Sequence, residues 1–190
     1  GNENYNAAEK TVTLTVGMAD ASVTTAPAKI NNLEYTGEAQ ALVTAGSAAG
    51  GTLKYRVKQG SGSYGDYSTD VPTGTNAGEY TVAYYVDGDT NHNDTAEQEI
   101  SVSIAKATPV ITVTSDAVNK TYGDAAFSIG AAVNAALELT YESGNTGVAT
   151  IDNAGTVTIT GQGSATLKVK TAGNENYNAA EKTVTLTVGM

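Results

Sequence analysis

Hydrophobic and polar positions alternate along this chain in short stretches, with a period of two. In "EYTVAYYV", Tyr80, Val82 and Tyr84 alternate with Thr81 and Ala83. That is the pattern of a strand with one face turned to a core. "TVTLTV" sets Val184, Leu186 and Val188 on one face and three threonines on the other. Read this way, the first half predicts strands at 40–45, 53–58, 79–87 and 98–104. The second half predicts them at 110–114, 127–132, 137–142, 149–151, 156–160, 165–170 and 182–188. Between them lie "GSAAGG", "QGSGSYGD", "DGDTNHND", "SGNTG", "DNAG" and "GQG", all rich in turn-forming residues. Many short strands spaced by such turns predict β-sandwiches.

The chain also repeats itself. "GNENYNAAEKTVTLTVGM" stands at 1–18 and again, letter for letter, at 173–190, an offset of 172 residues. A tandem array with a 172-residue unit accounts for this, the chain being one unit plus the closing segment of the copy before it. Within the unit a weaker period appears. Gly78 matches Gly163, Gly88 matches Gly173, and Asn91 and Asn93 match Asn176 and Asn178, each at an offset of 85. His92 falls opposite Tyr177. The expected organisation is therefore residues 1–18 as the last strand of a preceding copy, then two related domains at 19–105 and 106–190. The connections "SIAKATPVI", stiffened by Pro109, and "TVGMADASV" are short, as expected of a semi-rigid rod.

Asn76-Ala77-Gly78-Glu79-Tyr80-Thr81-Val82 has the form Asp-x-Gly-x-Tyr-x-Cys, with Asn for Asp and Val82 in the Cys place. This is the tyrosine corner of immunoglobulin domains, where the Tyr hydroxyl returns to the backbone just upstream. Ala165 holds the corresponding place in the second domain, so the corner is absent there. "VATIDNAGTVTITGQGSATLKVKTAGNENYNAAEKTVTLTV" resembles bacterial Ig-like group-two domains, over about residues 108–190. "LEYTGEAQALVTAGSAAGGTLKYRV" and "VPTGTNAGEYTVAYYVDGDTNHND" are similar to MBG-type Ig-like repeats, over about residues 28–104. The resemblance implies an all-β chain of two tandem immunoglobulin-like sandwiches, plus the extra N-terminal strand of the previous repeat. It implies extracellular modules of adhesins, stalks and cell-wall proteins, and it brings no catalytic residues with it.

Composition narrows the chemistry. Thr, Val, Ala and Gly dominate, with eleven Tyr, one Phe and no Trp. The absence of Cys removes disulfide and thiolate chemistry without fixing a compartment. A net charge of −10 repels phosphate backbones and anionic membranes, so no nucleic acid is expected as a partner. No apolar run approaches the roughly 20 residues of a membrane span. No secretory signal is visible, and the sequence reads as a window cut from a longer chain.

The candidate sites are few. His92 is the only histidine and lies in an Asn/Asp-rich turn, where it shields the end of a sandwich rather than serving as a base. No Gly-Lys-Ser or Gly-Lys-Thr loop offers a phosphate cradle. Asp87, Asp89, Asn91, Asn93 and Asp94 could gather around a calcium ion, or the Asn residues could serve turn geometry. The matching "AGNENYNA" keeps the Asn residues and drops the acids, which favours the turn. Lys54, Lys58 and Lys168 lie in strands where a Lys–Asn cross-link would need burial; Lys54 and Lys58 share a face with Arg56 and read as solvated. Asn93-Asp94-Thr95 and Asn119-Lys120-Thr121 fit the N-glycosylation pattern, expected to be silent in a bacterial protein. Tyr64 and Tyr67, in "GSGSYGDYSTD", could stack a sugar ring or close over the core.

No catalytic, cofactor-binding or metal-binding residue is assigned, and no cofactor is expected. The expected function is structural: a tandem-repeat module extending a fibre, stalk or adhesin from a bacterial surface. The alternative is an adhesin module that binds a glycan or a host protein; an enzyme is not expected. The expected partners are neighbouring copies, end to end, with residues 1–18 able to donate a strand to another chain.

Overall fold

The computed structural model describes residues 3–190. β-Branched and aromatic residues in alternation form strands, and among the described residues there is no helix. The strands of the 19–105 stretch are β1 (Ala19–Asp20), β2 (Ser22–Thr25), β3 (Leu33–Glu34), β4 (Gln40–Ala41) and β5 (Ser47–Ala49). They continue with β6 (Gly51–Gln59), β7 (Thr73–Gly74), β8 (Gly78–Gly88), β9 (His92–Asn93) and β10 (Gln98–Ala105). The 106–190 stretch holds β11 (Ile111–Thr112), β12 (Ala117–Thr121), β13 (Phe127–Ser128), β14 (Ala132–Val133) and β15 (Thr140–Ser143). It ends with β16 (Ala149–Ile151), β17 (Thr156–Ile159), β18 (Gly163–Thr171) and β19 (Ala180–Gly189).

One sheet order occurs twice. The first four-stranded sheet runs β3-β10-β8-β6 and the second β12-β19-β18-β15. In both, a short edge strand lies parallel to the last strand: Leu33 pairs with Ile104, and Val118 with Leu186. Tyr35 then donates its N–H to the Ala105 carbonyl at 2.9 Å, and Tyr122 donates to that of Gly189 at 3.0 Å. Smaller antiparallel sheets, β4-β7 in one stretch and β13-β17-β16 in the other, supply the second layer. The chain is all-β, and this is the immunoglobulin-like sandwich architecture.

The chain divides into two compact units. One takes the residues up to Lys29 with Val43–Pro72 and Thr81–Ser101; the other takes Ile30–Leu42, Thr73–Tyr80 and Val102–Met190. Strands β8 and β10 each run through both. The core of the second unit includes Val148, Ala149, Val157, Leu167, Val169, Val184, Leu186 and Val188. In the first unit Leu53, Tyr55, Val82, Ala83, Tyr84 and Val86 are buried. Ala83, expected on the solvent face of its strand, is buried as fully as Val82, so β8 is covered on both faces at that point.

The tyrosine corner forms as expected. Tyr80 donates its hydroxyl to the Asn76 carbonyl at 2.8 Å. Its ring lies over Gly74, where an added Cβ would stand 2.8 Å from a ring carbon. Ala165 is buried in the matching place and has no hydroxyl to return.

Several expectations change. The long strands match closely, but 40–45 shrinks to β4, 110–114 to β11 and 127–132 to β13 and β14, while 137–142 shifts to β15. "GSAAGG", read as a turn, contains β5, which pairs with β2. The glycine before it lies close against β2, since a Cβ at Gly46 would come within 2.7 Å of the Thr25 carbonyl oxygen. "DGDTNHND" contains β9, paired in parallel with β1. β12 was not foreseen, because it is a mostly polar edge strand with Val118 as its one large apolar residue.

The expected N-terminal strand is the largest difference. Gly1 and Asn2 lie outside the described residues. Residues 6–18 carry no strand, and Val12, Leu14 and Val16 are 81%, 84% and 83% exposed. Their counterparts Val184, Leu186 and Val188 in β19 are at most 3% exposed. Residues 6–18 of this first copy have neither a ladder partner nor a core to enter. Each such side chain forgoes about 1.5–3 kcal/mol of burial.

Tyr80→Phe removes the corner hydrogen bond and keeps the ring. The expected cost is about 1 kcal/mol, read as a lower urea midpoint with an unchanged slope. Gly74→Ala forces the ring away and costs about 1–3 kcal/mol in the same measurement.

Candidate functional site

Three places gather side chains that could act on or hold something: the loop that carries Tyr64 and Tyr67, the 87–94 loop, and the 173–178 loop.

The tyrosine loop follows β6 and turns back through backbone bonds from Gly65 N–H to the Val57 carbonyl (3.1 Å) and between Tyr55 and Ser68. It brings Tyr64 and Tyr67 over the outward residues of β6. The Arg56 guanidinium lies 4.4 Å from the Tyr64 ring centroid and 4.7 Å from that of Tyr67. Lys58 Nζ is 4.4 Å from the Tyr64 ring centroid. Tyr67 meets Tyr85 edge to face at 4.8 Å. Arg56 Nη2 donates to Glu97 at 2.7 Å, and the Tyr67 hydroxyl donates to the other Glu97 oxygen. Tyr64 donates to Glu99 at 2.5 Å.

Electrostatics follow from these contacts. The Arg56 guanidinium, and then the Tyr67 hydroxyl, hold the Glu97 carboxyl below its ordinary value. Burial, and then the bond to Glu99, push Tyr64 up to about 12. Arg56, expected to be solvated, is a half-buried ion pair between two rings, and its Nε is buried with no hydrogen-bond partner. The rings are occupied by cations of their own chain. Of the two readings of Tyr64 and Tyr67, a cover over the sheet fits this geometry better than an open platform for a sugar.

In the 87–94 loop each carboxylate has a protein partner. Asp87 pairs with Lys54 at 2.5 Å. Asp89 Oδ1 accepts from Asn91 N–H at 2.8 Å and lies 2.7 Å from His92 Nδ1, and His92 is the first cause of its lowered pKa. Asp94 accepts from Gly88 N–H at 2.8 Å. Asn93 donates to Asp20 at 3.1 Å. Among the described residues no group of three or more His, Asp or Glu side chains is placed to hold a metal ion. The loop's other work is mechanical. Its backbone takes up β1 through Ala19 N–H to Asn91 C=O (2.9 Å) and Ala21 N–H to Asn93 C=O (3.1 Å). The His92 ring covers Gly50, where a Cβ would come within 2.5 Å of it, in keeping with a shielding role.

The 173–178 loop is built the same way. Asn174 Oδ1 accepts from the N–H groups of Asn176 (2.8 Å) and Tyr177 (2.9 Å). Ala107 N–H donates to the Asn176 carbonyl at 3.0 Å, and Asn178 Nδ2 reaches Thr108 Oγ1 at 3.1 Å. Of these asparagines Asn174 serves turn geometry as the sequence suggested, whereas Asn178 reaches across to Lys106 and Thr108. Asn176 does something the sequence did not suggest. Its Oδ1 accepts from Ala77 N–H at 2.8 Å and its Nδ2 donates to Asn76 Oδ1 at 3.2 Å. Beside it, Tyr177 meets Tyr35 edge to face, with centroids 5.3 Å apart and planes at 80°. The only trace of this in the sequence was the matched positions of Asn91 and Asn176. The strand lysines are surface pairs: Lys168 with Glu181 at 3.3 Å, and Lys170 with Glu142 at 2.5 Å.

Comparison with known proteins adds the following. Residues 135–173 match the family described as the intimin immunoglobulin-like domain. No curated protein matches the chain. Among solved structures, the chain is similar to Drosophila N-cadherin EC1-3 at 15% identity and a TM-score of 0.37, covering 89% of this chain and 67% of that one. It is similar to the fibronectin(III)-like modules of Clostridium thermocellum CbhA at 13% identity and a TM-score of 0.32, covering 89% and 94%. Human protocadherin-24 EC1-2 aligns at 12% identity and a TM-score of 0.35, covering 86% and 99%. Among the described residues no helix is long and apolar enough to cross a membrane.

The lowered Glu97 pKa has a defined pH consequence. Its contribution to stability is complete above the ordinary glutamate value of 4.5 and is lost as pH falls through the lower folded value. Glu97→Gln removes that component. The gap in urea midpoint between native chain and variant is therefore expected to be largest at neutral pH and to shrink below 4.5.

Proposed function

We propose that this chain is a structural module of a tandem array, one that extends a bacterial extracellular fibre, stalk or adhesin as a semi-rigid rod and performs no catalysis. In this reading 1–18 closes a preceding copy, 19–105 is an MBG-like domain and 106–190 is a bacterial Ig-like group-two domain. The observation that carries it is the repeated eighteen-residue segment. At its second occurrence it supplies the last strand of a sandwich, and at its first residues 6–18 lie exposed with no strand. The same letters taking two structures in one chain fit a repeated unit whose closing strand needs its own sandwich. The match of 135–173 to the intimin immunoglobulin-like domain supports a place outside the cell.

Neighbouring copies are the partners. Strand donation by residues 1–18 would have to displace an identical strand already paired with β12 and β18, so it gains no contact that is not lost elsewhere. Covalent succession in an array meets no such competitor. The glycan-binding alternative draws less support, since the two loop tyrosines are engaged by Arg56 and Lys58.

The test is length. Proteins carrying one, two and three copies of residues 19–190 are compared by small-angle X-ray scattering. A rod gives a maximum dimension that rises by a constant increment per copy. Copies that collapse on one another, with a dimension growing as the cube root of mass, would overturn the proposal.

A further inference from the structure

We infer that the end of the second domain, formed by Tyr122, Gly161 and Gln162, is a socket for the 88–94 loop of the copy that follows. The inference rests on the array reading above and specifies the contact by which copies join.

The template is the contact already described between the 173–178 loop and Tyr35, Asn76 and Ala77. Every part of it has a counterpart elsewhere in the chain. On the receiving side, Tyr35 and Tyr122 each follow the short edge strand and donate their N–H to the last residue of the closing strand, Ala105 or Gly189. Gly78 (φ 140°) and Gly163 (φ 125°) open β8 and β18. Asn76 and Ala77 therefore correspond to Gly161 and Gln162. On the inserting side, a Cβ on Gly88 would meet the carbonyl of His92 at 2.2 Å, and one on Gly173 would meet that of Tyr177 at 2.4 Å. Asp89 and Asn174 both accept the N–H two residues on, at 2.8 Å. Asn91 thus stands for Asn176, and His92 for Tyr177.

The linkers agree. Ala19 pairs in parallel with His92 as Ala107 does with Tyr177. Met18 and Lys106 are then equivalent, and Met190 repeats Met18. A copy continuing beyond Met190 would place its own 88–94 loop where 173–178 stands at the template contact.

Both halves of this second contact are free. Tyr122 is 57% exposed, against a partly buried Tyr35, and borders an open pocket with Thr160, Gly161 and Gln162. Among the described residues neither the Asn91 side chain nor the Gln162 N–H has a hydrogen-bond partner. In the joined state Gln162 N–H donates to Asn91 Oδ1 of the next copy, and Tyr122 meets His92 edge to face. One template bond is missing, because Gly161 has no side-chain oxygen to accept from Asn91 Nδ2. The repeat junction therefore has one hydrogen bond fewer than the template contact.

Amide hydrogen exchange tests this on a protein in which a second copy of residues 19–190 follows Met190. The Gln162 amide of the first copy is expected to slow by at least about tenfold relative to the 190-residue chain. Asn91→Ala in the second copy alone should restore the fast rate, while Ala77 stays protected and reports intact folding. Equal Gln162 exchange with and without the second copy, Ala77 remaining protected, would overturn the socket. Scattering on the same protein separates the two ideas: an extended two-copy particle with an unprotected Gln162 rejects the socket and leaves the array reading standing.

Discussion

The structure of this chain depends on one constraint: a β-strand must find both a ladder and a core. β19 finds both. It pairs with β18 over nine residues on one edge and with β12 on the other, and it lays Val184, Leu186 and Val188 into the sandwich. Burying three such side chains contributes about 1.5–3 kcal/mol each, comparable in sum with the whole net stability of a small domain. A sandwich of this kind is incomplete without its last strand, and the last strand is nothing without its sandwich. The partners a segment meets therefore matter more to its local structure than its letters do.

The loops at the domain ends carry the second level of organisation. Each is held by an Asp or Asn at its second position, whose carbonyl or carboxylate oxygen gathers the backbone N–H groups that follow. Each also takes the incoming linker as a short parallel strand. Such a loop is tied down by its own hydrogen bonds and leaves the side chain of Asn176 or Asn91 free of the turn itself. The acidic residues of 87–94 belong to this scheme. They neutralise Lys54, tie down Gly88 and orient His92, and so are committed to the protein itself.

The outer face of the first sheet shows the same economy. Arg56 stands in a strand among residues that the alternating pattern assigns to solvent, yet the loop after β6 folds back and covers it with two tyrosines. Glu97 closes the cluster from the strand side. A cation, two rings and a carboxylate would look like a binding site in sequence. In space they satisfy one another, and Tyr67 packs on Tyr85 of β8.

The alternation at Tyr80–Tyr84 and at Val184–Val188, the glycines before β8 and β18, and the tyrosine corner made the sandwich fold legible from the letters, because they are local rules of strand and turn chemistry. Strands β1, β2, β3, β5, β7, β9 and β12 were not legible. They are short, polar or glycine-flanked, and exist only because a partner edge passes close by. The cover over Arg56 and the second role of Asn176 were hidden for the same reason, since each is a contact between residues far apart in the chain. The repeated segment puts the division plainly. Sequence by itself determined that "GNENYNAAEKTVTLTVGM" has an apolar face and a threonine face, and therefore that it suits a sandwich edge. Only tertiary structure decided that one occurrence is a buried strand and the other is not, because ladder hydrogen bonds and core contacts belong to the partners a strand meets and not to the strand.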